Sequence, residues 1–179
     1  GRNILQLEVK LPLAQEVLNS TEKISTVSFQ SGVDESNWLS VNNRAFANHP
    51  EQGGWTNETL LSRLDESWFN ASGLLLHFTE RPSRQLTGFC WTKLDKLSNP
   101  KLGEIYIIAV DPDHHNKGLG RSLTVAGLNH LATAGATTGM LFVDKENAPA
   151  ISMYSKIGFS VHHEGQAFIG EISPTIGNL

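Results

Sequence analysis

Hydrophobic and polar residues alternate near the start of the chain, and this pattern predicts a β-strand. Every second position from 5 to 11 is aliphatic, and Pro12 ends the run. Such period-two alternation is typical of a strand with one buried face. The polar stretch 14–25 has no strong period and is predicted to be a linker. A strand isolated in this way needs another sheet to pair with, which indicates that a domain precedes it.

Further along, apolar runs predict strands, and apolar residues at intervals of three and four predict helices. The expected strands are 26–30, 74–79, 85–94, 104–110 and 140–145, with a broken strand pair around Gly165 in 159–172. The expected helices are 34–47, 56–65, 119–131 and 148–156, the first two capped by Asp34 and Thr56. Trp68 and Phe69 are expected to pack under the sheet. This order of elements predicts one domain that contains both helices and strands, an α/β fold in the broad sense and an α+β fold in the narrower one.

The stretch from Gly103 to Arg121 combines a strand, a turn, a glycine loop and the start of a helix. The first backbone N–H groups of a helix lack intrahelical partners and carry the positive end of the helix dipole. Gly118 and Gly120 would let a phosphate approach these groups closely. The spacing is neither that of a Walker loop nor that of a dinucleotide fingerprint. The segment therefore predicts an anion-binding loop, with an ordinary surface loop as the alternative.

Composition and charge narrow the class of partner. The 179 residues include 14 basic and 18 acidic ones, which argues against nucleic acid or an anionic membrane surface as a partner. The single cysteine, Cys90, excludes an internal disulfide framework and fits a reducing compartment, so a cytoplasmic location is expected. No apolar run approaches the roughly 18 residues of a membrane span. The histidines show no metal-ligand spacing, and no metal is predicted.

Two motifs in the second half of the chain resemble those of a known superfamily. The glycine loop resembles the pyrophosphate loop of the GNAT acetyltransferases, Q/R-x-x-G-x-G/A after a strand ending in V-x-P, with His115 where Gln or Arg is usual. Residues 147–159, NAPAISMYSKIGF, match the later motif N-x-x-A-x-x-x-Y-x-K-x-G-F. The resemblance implies the GNAT fold, a mixed and mostly antiparallel sheet whose central strands splay apart and are flanked by helices.

The resemblance also implies the cosubstrate and how it is held. Acetyl-CoA would fill the wedge between the splayed strands, with its pantetheine amides on free backbone groups and its pyrophosphate on the glycine loop. The segment from Asn147 would flank the pantetheine and the thioester. The residues implied to bind the cosubstrate are Ile108, Ala109, Val110, His115, Asn116, Lys117, Gly118, Leu119, Gly120, Arg121, Asn147, Ala150, Ile151 and Ser152.

Three further blocks are similar to the mycothiol synthase family of actinobacteria. They are RAFANHPEQGGWT at 44–56, GFCWTK at 88–93 and LGEIYIIAVDP at 102–112. That family carries two GNAT domains in tandem, with the active one second. The resemblance thus implies that 1–19 is the last strand and linker of a missing N-terminal GNAT domain, 20–173 the acetyltransferase domain and 174–179 a tail. The implied reaction acetylates the cysteinyl amine of cysteinyl-glucosaminyl-inositol, a small aminosugar thiol, and gives mycothiol.

Acetyl transfer to an amine needs a base, donors for the oxyanion and an acid for the departing thiolate. Glu104 is the expected base, acting through water because a carboxylate with a pKa of about 4 to 5 is a weak base. Alternation predicts that Tyr106 and Ile108 point the same way as Glu104. The amide of Ile108 is the expected oxyanion donor, and the place of Tyr154 in its motif favours a general acid. The alternatives are a solvated strand-end glutamate and a core tyrosine.

The acceptor side is expected to use charged and aromatic groups. Glu51 and Lys93 lie in the blocks most similar to the family, and Phe142 lies on the strand that would border the acceptor. Together with Glu104, they are the expected acceptor-binding residues, although an aromatic at position 142 is also typical of a core. Two other functions are also compatible with the sequence. One is N-acetylation of a different amine or of a protein, and the other is a non-catalytic acetyl-CoA-binding domain.

Overall fold

The computed structural model describes residues 2–94 and 101–167, which form a seven-stranded sheet with helices on both faces. No helix in these ranges is both long and apolar enough to cross a membrane. In chain order the elements are β1 (Arg2–Lys10), α1 (Gln15–Asn19), β2 (Val27–Ser28), α2 (Glu35–Ala45), α3 (Asn57–Leu64), a 3₁₀ turn (Ala71–Gly73), β3 (Leu74–Thr79), β4 (Gln85–Lys93), β5 (Leu102–Val110), a 3₁₀ turn (Pro112–His114), α4 (Leu119–Thr133), β6 (Thr138–Asp144), α5 (Ala148–Ile157) and β7 (Ser160–Ala167).

The sheet is mixed and mostly antiparallel, as predicted. Its strand order is β2-β3-β4-β5-β6-β1-β7, and the only parallel neighbours in the described part are β5 and β6. A parallel pair needs a crossover connection, and α4 supplies it between these two strands. The predicted fold class is confirmed.

The two central strands separate after a short paired region. β5 and β6 pair only from Leu102 with Thr138 to Glu104 with Met140. Beyond that point β5 continues its pairing with β4, while β6 continues its pairing with β1. A wedge therefore opens between 105–110 of β5 and 141–144 of β6, as the splayed-strand prediction required.

The first strand belongs to this sheet, and the prediction that it needs another sheet is wrong. β1 lies between β6 and β7 and pairs antiparallel with both. Its aliphatic face is buried, with Leu7 only 2% exposed, and it packs in the core beneath α4 and α5. Alternation reveals that a strand has one buried face, but it does not reveal which sheet supplies the partners. The predicted linker also differs, because 15–19 forms α1.

The predicted break at Gly165 is also wrong. β7 runs through this residue, which pairs with Ile4 of β1. Glycine is compatible with a strand when the partner backbone is in place, so its presence alone did not require a turn. The remainder of the predicted strand pair, beyond 167, lies outside the described residues.

Two hydrophobic cores lie on opposite faces of the sheet. The first joins β1, β5 and β6 to α4 and α5, and Leu123, Leu141 and Tyr154 are fully buried in it. The second joins β3, β4 and β5 to α2 and α3 and is rich in aromatic rings. Trp68 and Phe69 pack against this second core, as expected. The wedge between β5 and β6 lies between these two cores.

Of the five α-helices in the described residues, two begin with a side-chain cap. Thr56 caps α3 by accepting a hydrogen bond from the Thr59 N–H at 3.2 Å, as predicted. Asn147 accepts one from the Ala150 N–H at 3.4 Å at the start of α5. Asp34 precedes α2 but makes no side-chain cap, because its carboxylate accepts a bond from the Gln30 N–H at 2.7 Å instead.

Leu7→Ala is expected to destabilise the protein by about 2–5 kcal/mol, because it removes a buried side chain from the middle of the first core. The measurement is the free energy of unfolding in urea. Leu61→Ala, at a position that is 46% exposed on α3, is the matched control and should stay within about 0.5 kcal/mol of the parent. Equal, small effects of the two substitutions would show that β1 is not part of this core.

Candidate active site

The glycine loop between β5 and α4 exposes backbone donors. Gly118 precedes α4 with a φ of +78°, a left-handed conformation that favours glycine. A Cβ at this position would meet nothing within 4 Å, so its backbone conformation rather than crowding requires the glycine. The first intrahelical bond runs from the Ser122 N–H to the Gly118 carbonyl, which leaves the N–H groups of 119–121 without intrahelical acceptors. The loop can therefore bind an anion.

A pocket of about 190 Å³ lies between the starts of α4 and α5. Gly118, Gly120 and Arg121 line one side, and Asn147 and Ala150 line the other. The structure thus brings together the two motifs that are separate in sequence. The Arg121 guanidinium, however, donates to the hydroxyls of Thr21 and Ser20, each at 3.1 Å. In this arrangement the arginine charge is held beside the loop that follows α1.

His115 bonds the wall of the wedge. Its Nε2–H donates to the Val110 carbonyl at 2.9 Å, which ties the glycine loop to the end of β5. Because a carbonyl oxygen has two lone pairs, Val110 can still accept a second donor. At this position the histidine side chain therefore supports the main chain that forms the predicted cosubstrate site.

The backbone groups that face the wedge can be assigned from the strand register. The Asp111 N–H donates to the Thr87 carbonyl of β4 at 2.7 Å. Because backbone groups alternate from side to side along a strand, those of Val110 and Ile108 face β6, across the wedge. Those of Ala109 face β4, and its side chain is buried in the second core. Two of the three residues predicted on β5, Ile108 and Val110, thus present backbone groups to the wedge, and the Val110 carbonyl already accepts the His115 bond.

Tyr154 lies in the first core with its hydroxyl buried. The residue is fully buried, and its ring stacks edge-on against Phe159 with centroids 5.5 Å apart. Within the described ranges no well-formed hydrogen bond reaches the hydroxyl. Burial, with a smaller effect of nearby Cys90, raises the pKa of the phenol well above its ordinary value, and the neighbouring Thr124 hydroxyl opposes the shift. The phenol therefore keeps its proton at neutral pH, with the Thr124 hydroxyl as its neighbour.

Glu104 lies at the point where the two central strands part. It forms the last β5–β6 pair, with Met140, and it is paired on β4 with Lys93. Burial raises the pKa of its carboxyl to about 7, against the opposing effect of Lys93. The expected pKa of about 4 to 5 is therefore wrong, because the sequence does not reveal burial. The folded protein therefore binds the proton of the Glu104 carboxyl more tightly than the unfolded chain does. The stability that this protonated carboxyl contributes is lost as the pH rises through about 7.

A β-bulge decides which side chains share a face with Glu104. Trp91 pairs with Ile107 and Thr92 with Ile105, so Tyr106 is the extra residue on β5. Glu104 and Tyr106 consequently face the aromatic second core, whereas Ile108 packs into the first. The prediction that Tyr106 and Ile108 point the same way is wrong, because alternation does not hold across a bulge.

An aromatic wall lies beside Glu104. Trp68 packs against Trp91 and Tyr106 with ring centroids 5.9 and 5.1 Å apart. The Lys93 ammonium lies over the Trp68 ring, 4.8 Å from its centroid, and 5.9 Å from that of Tyr106. Lys93 and Glu104 are thus neighbours at one end of the wedge, beneath an apolar surface that can exclude water.

The other predicted acceptor residues lie on β6 and in the loop between α2 and α3. Phe142 is partly buried on β6, opposite Gln6 of β1. The carboxylate of Glu51 lies 3.2 Å from the Arg2 guanidinium, which in turn lies 3.7 Å from Asp144 at the far end of β6. Sequence reasoning missed Arg2 and Asp144, because their proximity depends on the position of β1. In the parts of the chain that the structure describes, no three His, Cys, Asp or Glu side chains form a group that could hold a metal ion.

Comparison with known proteins agrees with this geometry. Residues 92–167 match the family model described as FR47-like protein. The mycothiol acetyltransferase of Kocuria rhizophila is 42% identical over 90% of this chain and 55% of the relative. That of Acidimicrobium ferrooxidans is 51% identical over 76% of this chain and 44% of the relative. The chain spans about half the length of the curated relatives it matches.

Solved structures with little sequence identity share the fold. A GCN5-related N-acetyltransferase from Sphaerobacter thermophilus superposes on 91% of this chain and 49% of its own, with a TM-score of 0.70 and 21% identity. A GNAT-family acetyltransferase from Colwellia psychrerythraea covers 92% of this chain and 54% of its own, with a TM-score of 0.69 and 16% identity. The fold and the wedge define a GNAT acetyltransferase domain. Within that class, the chain belongs to the mycothiol acetyltransferase family.

Lys93→Met is expected to raise the pKa of Glu104 further above about 7, because Lys93 is the charge that lowers it. The measurement is an NMR titration of the Glu104 carboxyl carbon. Lys156→Met, at an exposed position of α5, is the matched control and should leave the titration unchanged. A Glu104 pKa that stays constant or falls in Lys93→Met would contradict this account of the site.

Proposed function

We propose that the chain transfers the acetyl group of acetyl-CoA to the cysteinyl amine of cysteinyl-glucosaminyl-inositol, giving mycothiol. The observation that carries the proposal is the wedge itself, with free backbone of Ile108 and Val110 in its wall, Glu104 where it narrows and Tyr154 in the adjoining core. The acceptor is inferred from the relatives, which carry the name mycothiol acetyltransferase.

The residues present fit acetyl-CoA, the acyl donor of GNAT enzymes. The free N–H groups at the start of α4 suit a pyrophosphate, and the exposed Lys117 adds a positive charge. Ile108 and Val110 offer donors and acceptors for the pantetheine amides. The segment of Asn147, Ala150, Ile151 and Ser152 borders the pocket from the other side, with Asn147 and Ala150 in its lining. Acetyl-CoA supplies the activated acetyl group, and the chain positions it.

Glu104 is the proposed general base. An ammonium must lose its proton before it can attack a carbonyl carbon, and a carboxylate with a pKa of about 7 accepts that proton far more readily than an ordinary one. The positive charge of Lys93 lowers the pKa of this carboxyl and so limits the rise that burial causes. The aromatic wall of Trp68 and Tyr106 limits the access of water.

Ile108 and Tyr154 are the proposed electrophilic partners. The Ile108 N–H faces the wedge and would donate to the acetyl carbonyl oxygen as negative charge develops there. The buried Tyr154 hydroxyl has its proton in place at neutral pH, because burial raises its pKa. It would donate this proton to the departing thiolate sulfur.

Lys93, Phe142 and Glu51 are the proposed acceptor-side residues. Lys93 lies on β4, Phe142 lies on β6, and Glu51 lies in the loop between α2 and α3, where its carboxylate is paired with Arg2. We also propose that a second GNAT domain precedes this one. Support comes from the length of the relatives and from a tandem GNAT protein of clavulanic acid biosynthesis, of which this chain covers 55% with a TM-score of 0.66 and 14% identity.

Glu104→Gln and Tyr154→Phe are each expected to lower turnover about 100-fold or more, because general acid and base groups contribute that much. Affinity for acetyl-CoA, measured by calorimetry, should stay nearly unchanged, since both groups act on the reaction. Turnover is measured by mass spectrometry with cysteinyl-glucosaminyl-inositol as the acceptor.

Glu58→Gln, at an exposed position of α3, is the control for the loss of a carboxylate and should keep full turnover. Near-parental turnover in either active-site variant would remove that residue from the mechanism. Acetyl-CoA binding without transfer to any amine in a panel would instead identify a non-catalytic binding domain. Transfer to other amines alone would refute the proposed acceptor.

A further inference from the structure

The imidazole of His49 lies in the loop between α2 and α3, and one of its two nitrogens accepts hydrogen bonds from that loop. Its Nδ1 accepts hydrogen bonds from the backbone N–H groups of Glu51 at 3.1 Å and of Gln52 at 2.9 Å. Backbone N–H groups can only donate, so Nδ1 must carry a lone pair. In the neutral ring the hydrogen is therefore on Nε2.

The neighbour of that hydrogen is another donor. The Arg2 Nη1 atom of β1 lies 3.0 Å from His49 Nε2. A guanidinium has no acceptor, so with the hydrogen on Nε2 this close contact is not a hydrogen bond. Burial and the Arg2 charge lower the pKa of His49, which keeps the ring neutral. The N–H groups of His49 Nε2 and Arg2 Nη1 are therefore both donors and lie next to each other. A single acceptor atom placed beside them could receive a hydrogen bond from each.

Carboxylates hold Arg2 in this position. Glu51 lies 3.2 Å from Arg2 Nη2, and Asp144 lies 3.7 Å from Nη1. The pair with Glu51 is not aligned as a hydrogen bond, so Arg2 Nη2 and Glu51 Oε2 are buried without hydrogen-bond partners among the described residues. The two carboxylates therefore fix Arg2 by charge without satisfying every polar atom of the cluster, and such unpaired buried atoms are unusual in folded proteins.

A cavity of about 740 Å³ opens onto the cluster. Arg2, His49 and Asp144 line it, whereas Glu51 does not. Asn147 and Pro149 line both this cavity and the pocket beside the glycine loop. A molecule in the larger cavity would therefore lie next to the proposed acetyl-CoA site.

The charges of Arg2, Glu51 and Asp144 indicate which kind of chemical group can bind beside His49. Two carboxylates, Glu51 and Asp144, disfavour an anion, while the paired donors of Arg2 and His49 disfavour an ammonium or a metal ion. A hydroxyl group fits, because it accepts through oxygen and donates through hydrogen. Its oxygen can receive the bonds of His49 and Arg2, and its hydrogen can go to Asp144.

We infer that His49 and Arg2 form a hydroxyl-binding subsite that selects acceptors with a polyol portion, and that Glu51 acts there by positioning Arg2. This inference rests on the proposed function, since it names how that site chooses its acceptor. His49 is then a specificity-determining residue rather than a group that moves protons in the reaction.

The test compares two acceptors and two variants of this chain. Asparagine can place an acceptor where Nδ1 of histidine lies but has nothing at Nε2, so His49→Asn keeps the loop bonds and removes the donor. The KM for cysteinyl-glucosaminyl-inositol should rise roughly 2- to 12-fold, the value of one neutral hydrogen bond. The KM for cysteinamide, which has no hydroxyl groups, should not change. His130→Asn, half-buried on α4, is the matched control.

Equal effects on the two acceptors, or no effect on either, would overturn the inference while leaving acetyl transfer intact. A second measurement needs no transfer and no variant. Imidazole ¹⁵N NMR of the parent chain should show His49 as the Nε2–H tautomer, and N-acetylglucosaminyl-inositol, which has no free amine, should shift its Nε2 resonance. A Nδ1–H tautomer, or no shift at saturating probe, would refute the subsite. A shift in a chain that acetylates no acceptor would refute the proposed function alone.

Discussion

The interruption of hydrogen bonding between β5 and β6 after Glu104 is the constraint on which the rest of the site depends. Each of the two strands keeps a partner on its other side, β4 for β5 and β1 for β6, so the sheet remains intact around the wedge. The backbone of Ile108 and Val110 stays available because the opposite strand has moved away. β1 is therefore more than a leading segment, since without it β6 would have no antiparallel partner in the described sheet.

The wedge separates two kinds of chemistry onto the two faces of the sheet. On the face of α4 and α5 lie the glycine loop and the buried Tyr154. On the face of α2 and α3 lie Glu104 and the aromatic wall. The bulge at Tyr106 makes this division possible, because it places Ile108 in the first core while Glu104 faces the second. The proposed proton acceptor and proton donor thus lie on opposite faces of the sheet, on either side of the same gap.

Local features of the site could be predicted from the sequence, and long-range ones could not. The glycine loop, the Thr56 cap and the strand–loop–helix order follow from residue types within a few positions. The partners of β1 depend on the whole sheet, and the raised pKa of Glu104 depends on burial by distant segments. The same holds for the contact between Arg2 and His49, which are 47 positions apart in the chain. Alternation also failed at Tyr106, where a bulge changes the side-chain direction.

Amide hydrogen exchange can test whether the main chain of the splayed strands holds acetyl-CoA, as we propose. Exchange at Ile108 and Val110, whose N–H groups face the wedge, should slow markedly when acetyl-CoA is added. The N–H groups of Ile107 and Ala109 face β4, so they should be protected equally with and without the cosubstrate. Saturation with acetyl-CoA that leaves exchange at Ile108 and Val110 unchanged would contradict the claim.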